Sequence, residues 1–300
     1  MASKIVPLMP PHCSYIEPFA GSAAVMFKKG LPPHQTNSHH YREVINDLRG
    51  DVVAFWRVLQ DREQCDDLRH MLRHTLYSKD EFERSRYITR MGDEASTVDR
   101  AWAFFVAQAQ GFGGAGHYGS NYGRGSWGRG KKVGANLAQT YTKAVDRLDQ
   151  YVERMRGVYI DSIDAAECIQ KWDRPEAFLY VDPPYVGMDC RTYKDFTEKD
   201  LARLLDALEG AQGSFILSGY SHPLIEARGW PKVEHDAYSS ARRDADKVSG
   251  KRTECLWVVD RSGAMPAREA AIARKIWGRN DPKSRPLLEG GGRDTRLPRE

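Results

Sequence analysis

Short apolar runs recur along the chain and each predicts a strand; those without polar alternation, at residues 177–181, 215–220 and 255–259, are typical of buried strands. The run at residues 177–181 ends in an acid and two prolines, which cannot continue a hydrogen-bonded ladder. The other runs lie at residues 15–16, 44–45, 158–160, 215–220 and 255–259. The chain therefore carries the pattern of a buried sheet.

Between these runs, apolar residues recur at the spacing of amphipathic helices. The predicted apolar faces are Val52, Phe55, Trp56 and Leu59; Val145, Leu148, Val152 and Met155 in a helix over residues 142–156 that Gly157 can end; and Leu201, Leu204, Leu205 and Leu208 after a capping box at Thr197 and Asp200. Residues 60–97 are polar and helix-prone, and residues 101–110 look helical. Because strands alternate with helices, we predict an α/β fold with a mostly parallel sheet and helices on both faces.

Composition narrows the class of protein. Three hundred residues, 41% of them hydrophobic, suit one large α/β domain or one domain with an insertion. The five cysteines form no C-x-x-C pair, which indicates neither a disulfide framework nor a zinc site and fits a reducing compartment. No run reaches the length of a membrane span, and the N-terminus lacks a secretion signal. We expect a cytoplasmic protein, in a bacterial cell or a phage-infected host, with no metal and no membrane contact.

Charge is unevenly distributed. The net charge is +4, but residues 261–300 alone carry ten Lys and Arg against five Asp and Glu. This segment is also rich in Gly, Pro and Arg and lacks periodicity. It is predicted to be a basic, weakly ordered C-terminal tail.

A glycine-rich segment at residues 111–134 is a candidate DNA contact. Ten of its twenty-four residues are glycine, and no Asp or Glu occurs between Arg100 and Val145. Four cations lie among its aromatic residues: Arg124, Arg129, Lys131 and Lys132. This composition favours a loop that orders on a phosphate backbone, although a surface loop without function stays open. The cations Arg242, Arg243, Lys247, Lys251 and Arg252, between the last two predicted strands, are a second candidate.

The central strand ends in Asp182-Pro183-Pro184-Tyr185, and this tetrapeptide carries the candidate chemistry. Ligands bind at the carboxyl edge of open α/β sheets, where Asp182 offers a carboxylate and Pro183 a carbonyl with no competing N–H. Two such acceptors can bind both hydrogens of an exocyclic amine. This localises the nitrogen lone pair, which the amine needs before it can be alkylated. Tyr185 offers a flat face for a base. The alternative is a plain proline turn with a solvated acid and a rim aromatic.

Three further acids follow predicted strands. Asp47 lies where the second strand of a Rossmann-like unit binds ribose hydroxyls, although it could equally cap the next helix. Asp161 and Asp164 follow another strand, where a carboxylate could accept from an adenine amino group or be an ordinary turn residue. The small residues from Ala20 to Ala24 form a turn through which backbone can approach a ligand closely.

In order, these motifs resemble those of the Dam-type (D12 class, alpha group) DNA N6-adenine methyltransferases. The resemblance spans residues 10–260 and rests on Glu17-Pro18-Phe19-x-Gly21, Asn46-Asp47, a long insertion, Asp182-Pro183-Pro184-Tyr185, Leu217-Ser218-Gly219-Tyr220 and Arg252-x-Glu254-x-Leu256-Trp257. It implies a Rossmann-like S-adenosylmethionine-dependent methyltransferase sheet with a helical or loop-rich target-recognition insertion. The implied catalytic domain is 1–59 with 142–260, the insertion is 60–141, and the tail is 261–300.

The resemblance also implies roles for single residues. Pro18, Phe19 and Gly21 would line the S-adenosylmethionine pocket, Asp47 would bind the ribose, Asp164 would lie near the cofactor adenine, and Asp182, Pro183, Pro184 and Tyr185 would bind the flipped adenine beside the cofactor. The family usually opens with a G-G-K type segment whose lysine binds the methionine end of the cofactor. Here only Ser3-Lys4 precedes Glu17, too close to be that lysine, so we expect weakened cofactor binding.

The expected function is site-specific transfer of a methyl group from S-adenosylmethionine to N6 of a flipped adenine in double-stranded DNA, without a metal. A partner restriction endonuclease is possible. The alternatives are methylation of cytosine N4, of RNA adenine or of a protein glutamine, and a DNA-binding homologue with impaired catalysis.

Overall fold

A computed structural model describes residues 2–30, 41–111, 127–128, 136–186, 196–238 and 251–262 of the chain, except for the side chains of 235–238 and 251–252. The strands are β1 (Ser14–Glu17), β2 (Arg42–Asn46), β3 (Val158–Asp161), β4 (Ala177–Val181), β5 (Ser214–Gly219), β6 (Lys232–Tyr238) and β7 (Lys251–Val259). The helices are α1 (Ala2–Ile5), α2 (Ala24–Lys29), α3 (Gly50–Gln60), α4 (Arg62–Arg73), α5 (Lys79–Met91), α6 (Thr97–Gln110), α7 (Leu137–Asp146), α8 (Leu148–Met155), α9 (Ala165–Trp172), α10 (Glu198–Gly210) and α11 (Pro223–Glu226). Short 3₁₀ turns follow α1 and α5, at Val6–Leu8 and Gly92–Glu94.

The strands form one sheet in the order β3-β2-β1-β4-β5-β7-β6. The first five strands pair in parallel, whereas β7 is antiparallel to both of its neighbours. The predicted α/β fold with a mostly parallel sheet is therefore confirmed. Strand order reverses between β1 and β4, so the carboxyl ends of these two strands flank the crevice in which open α/β sheets bind ligands.

Alternate strand residues pack on opposite faces of the sheet, as the pleat requires. Tyr15, Tyr180 and Ile216 join the core on the face that also packs α2 to α8. Ile16 and Leu217 join the opposite core, which α9, α10 and α11 cover. Helices thus cover both faces, and the residue parity of each strand determines which face its last side chain occupies.

Helices α4 to α6 are built directly onto α3. Phe55 of α3 packs against Phe104 of α6, with ring centroids 5.3 Å apart. Leu68 and Leu72 of α4 and Trp102 of α6 are fully buried in the same core as Phe55. The helical part of the predicted insertion therefore shares its core with the sheet.

The structure confirms the predicted start of α10 but divides another predicted helix in two. The capping box at Thr197 and Asp200 opens α10, whose four predicted leucines are buried. The single helix predicted over 142–156 is two helices, α7 and α8, which are separated at Arg147. Both helices keep the predicted apolar face toward the core, so periodicity alone did not reveal the break. Gly157 follows with φ of +79°, which suits glycine at the end of a helix.

The end of the sheet also differs from the prediction. Strand β6 is polar at its start, Lys232 and Glu234 flanking Val233, and no strand was predicted there. Strand β7 begins at Lys251, four residues before the predicted run. Lys251 and Arg252 therefore belong to a strand and not to the predicted basic loop, while Arg242, Arg243 and Lys247 lie outside the described residues.

Candidate active site at the carboxyl edge of the sheet

Asp182 follows directly on β4, whose five residues are all buried. The Ser218 hydroxyl of β5 donates a 2.8 Å hydrogen bond to Asp182 Oδ1, and the Tyr185 hydroxyl lies 3.4 Å from the same oxygen. Ser218 is itself in contact with the Tyr180 hydroxyl, at 3.2 Å. Two neighbouring parallel strands thus fix the orientation of the Asp182 carboxylate.

The rest of the tetrapeptide borders the same crevice. Pro183 is buried, whereas Pro184 lines a cavity beside it. The Tyr185 ring packs edge-on against Tyr220, with centroids 4.7 Å apart. The end of β4 therefore carries a carboxylate next to a pair of packed tyrosine rings.

Two acids at this edge bind protons more tightly than usual. Crowding by protein raises the pKa of Asp182, although the residue keeps exposed surface; Ser218 opposes that shift and the charge of Glu254 adds to it. Burial raises the pKa of Glu17 to about 7, against hydrogen bonds from the Tyr15 hydroxyl and the Met26 amide. Glu17 lies at the end of β1 and feels the charge of Asp182. The switch point therefore gathers carboxyl groups in a desolvating environment, which favours their protonated forms.

The turn after β1 is tight and is tied to the end of β2. Gly21 and Ala23 both have φ of +48°, a conformation that is uncommon for a residue with a Cβ. The Gly21 amide donates a 2.9 Å hydrogen bond to Asp47 Oδ2, and the Arg49 amide donates one of 2.9 Å to Asp47 Oδ1. Burial raises the pKa of Asp47 against these two amides.

Asp47 is not the N-cap of the next helix, so that alternative is wrong. The cap of α3 is Arg49, and the Asp47 carboxylate closes a turn two residues before the helix. Asp47 instead joins the Gly21 turn to β2. This leaves the ribose role open, since each carboxylate oxygen can accept a second hydrogen bond.

Asn46, the last residue of β2, joins the loops that follow β1 and β3, and it received no role from the sequence. Its amide nitrogen donates to the carbonyls of Pro18 and Ile163, both at 2.9 Å, and its oxygen accepts from the Ile163 amide at 2.9 Å. The side chain is 1% exposed. Every polar atom of this buried amide group is thus used to hold the loops after β1 and β3 against β2.

A cavity of about 940 Å³ opens between these loops and α3. Pro18, Phe19, Asp47 and Asp164 line it, together with Pro184 from the tetrapeptide. Gly21 adjoins it through its hydrogen bond to Asp47. The structure therefore brings together the residues that the sequence assigned to cofactor binding, with Asp182 two residues from the cavity wall.

The two acids after β3 are engaged in different ways. Asp161 accepts from Trp172 Nε1 at 2.6 Å and from Lys171 Nζ at 2.9 Å, which makes it a structural residue. Asp164 caps α9 by accepting from the Ala166 amide at 2.9 Å, and its other oxygen pairs with Arg203 at 2.7 Å. Asp161 is thus the last residue of β3 and not a turn residue, whereas Asp164 caps α9 and lines the cavity.

A comparison with known families identifies the class of enzyme. The model of the D12 class N6 adenine-specific DNA methyltransferase family matches residues 1–235. The chain belongs to this family. This D12 class methyltransferase is therefore an enzyme that acts on adenine in DNA, and its family implies duplex DNA as substrate and S-adenosylmethionine as methyl donor. Among curated proteins, none matches the chain significantly.

The predicted DNA-contact residues of the methyltransferase, Arg124, Arg129, Lys131 and Lys132, lie outside the described residues. Their segment is described at Gly111, Trp127 and Gly128. The Gly128 amide donates to the Gln110 carbonyl at 2.8 Å, and the Tyr77 hydroxyl donates to the Gly128 carbonyl at 2.6 Å. These bonds attach the segment to α6 and to the residues before α5.

The sequence also raised the questions of metal sites, membrane spans and disulfide bonds. In the part of the chain that the structure describes, no three His, Cys, Asp or Glu side chains are grouped as metal ligands. The helices in that part are too short or too polar to cross a membrane. Four cysteines are described, and all are free thiols.

Sequence reasoning missed the groups that surround Asp182. Ser218 was visible as a hydroxyl in an otherwise apolar run, and Glu17 as an acid at the end of a strand. Glu254 was visible in the motif of β7. None of these signals could show that the side chain lies near Asp182, because each residue belongs to a different strand of the sheet.

Proposed function

We propose that this methyltransferase transfers a methyl group from S-adenosylmethionine to N6 of an adenine flipped out of duplex DNA, at a specific target site. In this proposal Asp182, Pro183, Pro184 and Tyr185 bind the flipped base. Pro18, Phe19, Gly21, Asp47 and Asp164 bind the cofactor, with Asp182 at the boundary between the two ligands. The single observation that carries the proposal is the position of Asp182 at the β1/β4 switch point, two residues before Pro184 in the cavity wall.

The chemistry follows from the acceptors at the end of β4. The exocyclic amine of adenine donates its lone pair poorly, because that pair is delocalised into the ring. The Asp182 carboxylate and the Pro183 carbonyl accept its two hydrogens and turn the lone pair out of the ring plane. S-adenosylmethionine supplies an activated methyl group, which needs no metal. The N–C bond forms as the S–C bond breaks with its electrons on sulfur, and the amine then loses a proton toward Asp182.

The cavity suits the cofactor in size and in chemistry. Its volume of about 940 Å³ falls within the range of small-molecule sites. Phe19 is half-buried and offers a ring to the cofactor adenine, edge-on to Phe196 at 5.9 Å. Asp47 and Asp164 offer carboxylate oxygens for the ribose hydroxyls and the adenine amine.

DNA binding is assigned to the glycine-rich segment. We infer that Arg124, Arg129, Lys131 and Lys132 contact phosphates and offset the cost of base flipping, roughly a few kcal/mol. The insertion at 60–141 then carries target recognition, as in a Dam-type enzyme of the alpha group. Free cysteines at every described cysteine position favour a cytoplasmic location. A partner restriction endonuclease would make the enzyme part of a restriction-modification pair.

The test is product analysis. The full chain is incubated with S-adenosylmethionine carrying a labelled methyl group and with duplex DNA, single-stranded DNA or RNA of one mixed sequence, and the nucleosides are then separated. We expect label in N6-methyladenine from duplex DNA. Label in N4-methylcytosine, or in RNA alone, would replace this proposal with one of the alternatives. Binding of DNA without any label transfer would indicate an impaired homologue.

A further inference from the structure

Glu254 is a carboxylate of β7 that lies on the same face of the sheet as the catalytic tetrapeptide. Leu256 and Val258 of β7 pack in the core that contains Tyr15 and Tyr180. By strand parity, Glu254 occupies that face too. Asp182 shares it, since its side chain binds the hydroxyl of Ser218, which in turn contacts Tyr180.

The register of β7 sets the level of Glu254 along the sheet. Cys255 pairs with Gly219, the last residue of β5, so Glu254 lies one residue beyond the end of that strand. This is the level of Tyr220, whose ring packs on Tyr185. Glu254 therefore reaches the same carboxyl edge as Asp182, from the far side of β5.

The Glu254 side chain is half-buried. Partial burial strengthens its interaction with nearby charges, because less water screens them. Its charge reaches Asp182, Tyr185 and Lys4, the last of these in α1. Glu254 therefore adds a second carboxylate charge to the sheet edge at which Asp182 lies.

We infer that Glu254 is a further residue of the methyl-transfer site, which acts through Asp182 by making that carboxylate a stronger acceptor for the protons of the target amine. The inference rests on the proposed function. During transfer, positive charge moves from the sulfur of the donor to the amine nitrogen. A second negative charge behind Asp182 stabilises that shift and the proton transfer that follows.

Several groups face Asp182 and contribute to its field. Glu17 approaches from β1, Tyr180 and Tyr185 from β4 and the turn after it, and Glu254 from β7. Lys4 opposes Glu254 from α1. Removing the charge of Glu254 alone therefore lowers the pKa of Asp182, because one of the two negative neighbours is lost while the positive one stays.

The test compares Glu254→Gln with Glu234→Gln. Glu234 lies opposite Cys255 in the register of β6 with β7, hence on the other face of the sheet, and pairs with Lys232 at 3.0 Å. Asp182 is followed by ¹³C NMR in protein labelled at the aspartate carboxyl, and its signal is assigned by its loss in Asp182→Asn. The single-turnover rate of methyl transfer to duplex DNA is measured at saturating cofactor and DNA.

We expect Glu254→Gln to move the Asp182 titration to lower pH and to slow methyl transfer by about tenfold, with cofactor affinity unchanged. Glu234→Gln should do neither. A titration that stays in place, or that moves equally in both variants, overturns the inference. The titration needs neither cofactor nor turnover. An unchanged titration would therefore overturn the role of Glu254 even where the labelled product supports the proposed function.

Discussion

The Ser218 hydroxyl donates a 2.8 Å hydrogen bond to Oδ1 of Asp182 and so ties the end of β5 to the residue that follows β4. Ser218 is 4% exposed, and its hydroxyl also contacts Tyr180 and the Val181 carbonyl. A single buried hydroxyl thus orients the carboxylate at the switch point of the sheet. Its hydrogen bond favours the ionised form of Asp182.

We predict that Ser218→Ala raises the pKa of Asp182 further, because the donor that favours its ionised form is gone. The acid limb of kcat/KM should then move to higher pH, opposite to the effect expected for Glu254→Gln, and activity at neutral pH should fall about tenfold. Ser221→Ala is the matched control, since Ser221 is exposed and its hydroxyl donates to Glu226. If the acid limb of the kcat/KM profile does not move, Ser218 does not influence the protonation of Asp182 during catalysis.

Glu17 should make the protein less stable as pH rises. Its carboxyl has a pKa of about 7 in the folded state, above the value of 4.5 for a free side chain. The folded state therefore binds more protons between these values, and the free energy of unfolding falls as pH rises through that window and levels off above it. For full ionisation the loss is at most about 3 kcal/mol.

The variant Glu17→Gln should remove this part of the pH dependence, because Oε1 can still accept from Tyr15 and Met26. Urea unfolding at pH 5 and at pH 8 measures it. The difference in stability between the two pH values should shrink in Glu17→Gln and stay unchanged in Glu63→Gln, an exposed substitution on α4. If both variants lose stability equally between pH 5 and pH 8, Glu17 is not the group that titrates.

Asn46→Ala should weaken cofactor binding as well as stability. The substitution removes three hydrogen bonds that join the loops after β1 and β3, and Pro18 and Asp164 of those loops line the cavity. We expect a loss of about 2 to 4 kcal/mol in stability, since buried partners are left unsatisfied, and at least a tenfold rise in the Kd for S-adenosylmethionine. Calorimetric titration and urea unfolding give the two values.

Ile45→Val in the same strand is the control for stability alone. Ile45 is 1% exposed, and the loss of one methylene should cost about 0.5 to 1.5 kcal/mol without a change in cofactor affinity. Equal effects of the two variants on affinity, once matched for stability, would argue against a positioning role for Asn46.

Replacing Arg124, Arg129, Lys131 and Lys132 together with glutamine should flatten the salt dependence of DNA binding. Each lost phosphate contact reduces the slope of log K against log salt by about 0.9. The control is replacement of four exposed cations outside the insertion, Arg147, Arg156, Arg174 and Lys199. Filter binding at several salt concentrations measures both. Equal slopes in the two variants would mean that the glycine-rich segment carries no phosphate contact of its own.

Sequence patterns predicted the strands at the centre of the sheet most clearly, because these are buried on both faces, whereas β3 at the edge exposes Tyr159. The run at residues 177–181 has no polar position, and all five residues of β4 are buried. The same reasoning failed for β6, since Val233 lies between Lys232 and Glu234 in a strand at the edge of the sheet. It also failed at Arg147, where the apolar spacing continues from α7 to α8 across the break.

The partners at the site could not be predicted, because they depend on strand order. Asp182 and Ser218 are 36 residues apart and meet only because β4 and β5 are neighbours. Asn46 and Ile163 are 117 residues apart and meet through β2 and β3. Motifs identify the residues whose side chains could take part in chemistry, whereas the strand order and register of the sheet decide which of these side chains contact one another.

The central claim is that Asp182 receives the target amine, and Asp182→Asn tests it most directly. The measurement is the single-turnover rate of N6-methyladenine formation in duplex DNA, beside cofactor affinity and thermal stability. Asp161→Asn is the matched control, since Asp161 also ends a strand but binds Lys171 and Trp172. We predict that Asp182→Asn lowers the rate by about a thousandfold or more while the protein stays folded and binds S-adenosylmethionine, and that Asp161→Asn keeps most of the rate. A rate for Asp182→Asn within about tenfold of the unaltered enzyme would contradict the account.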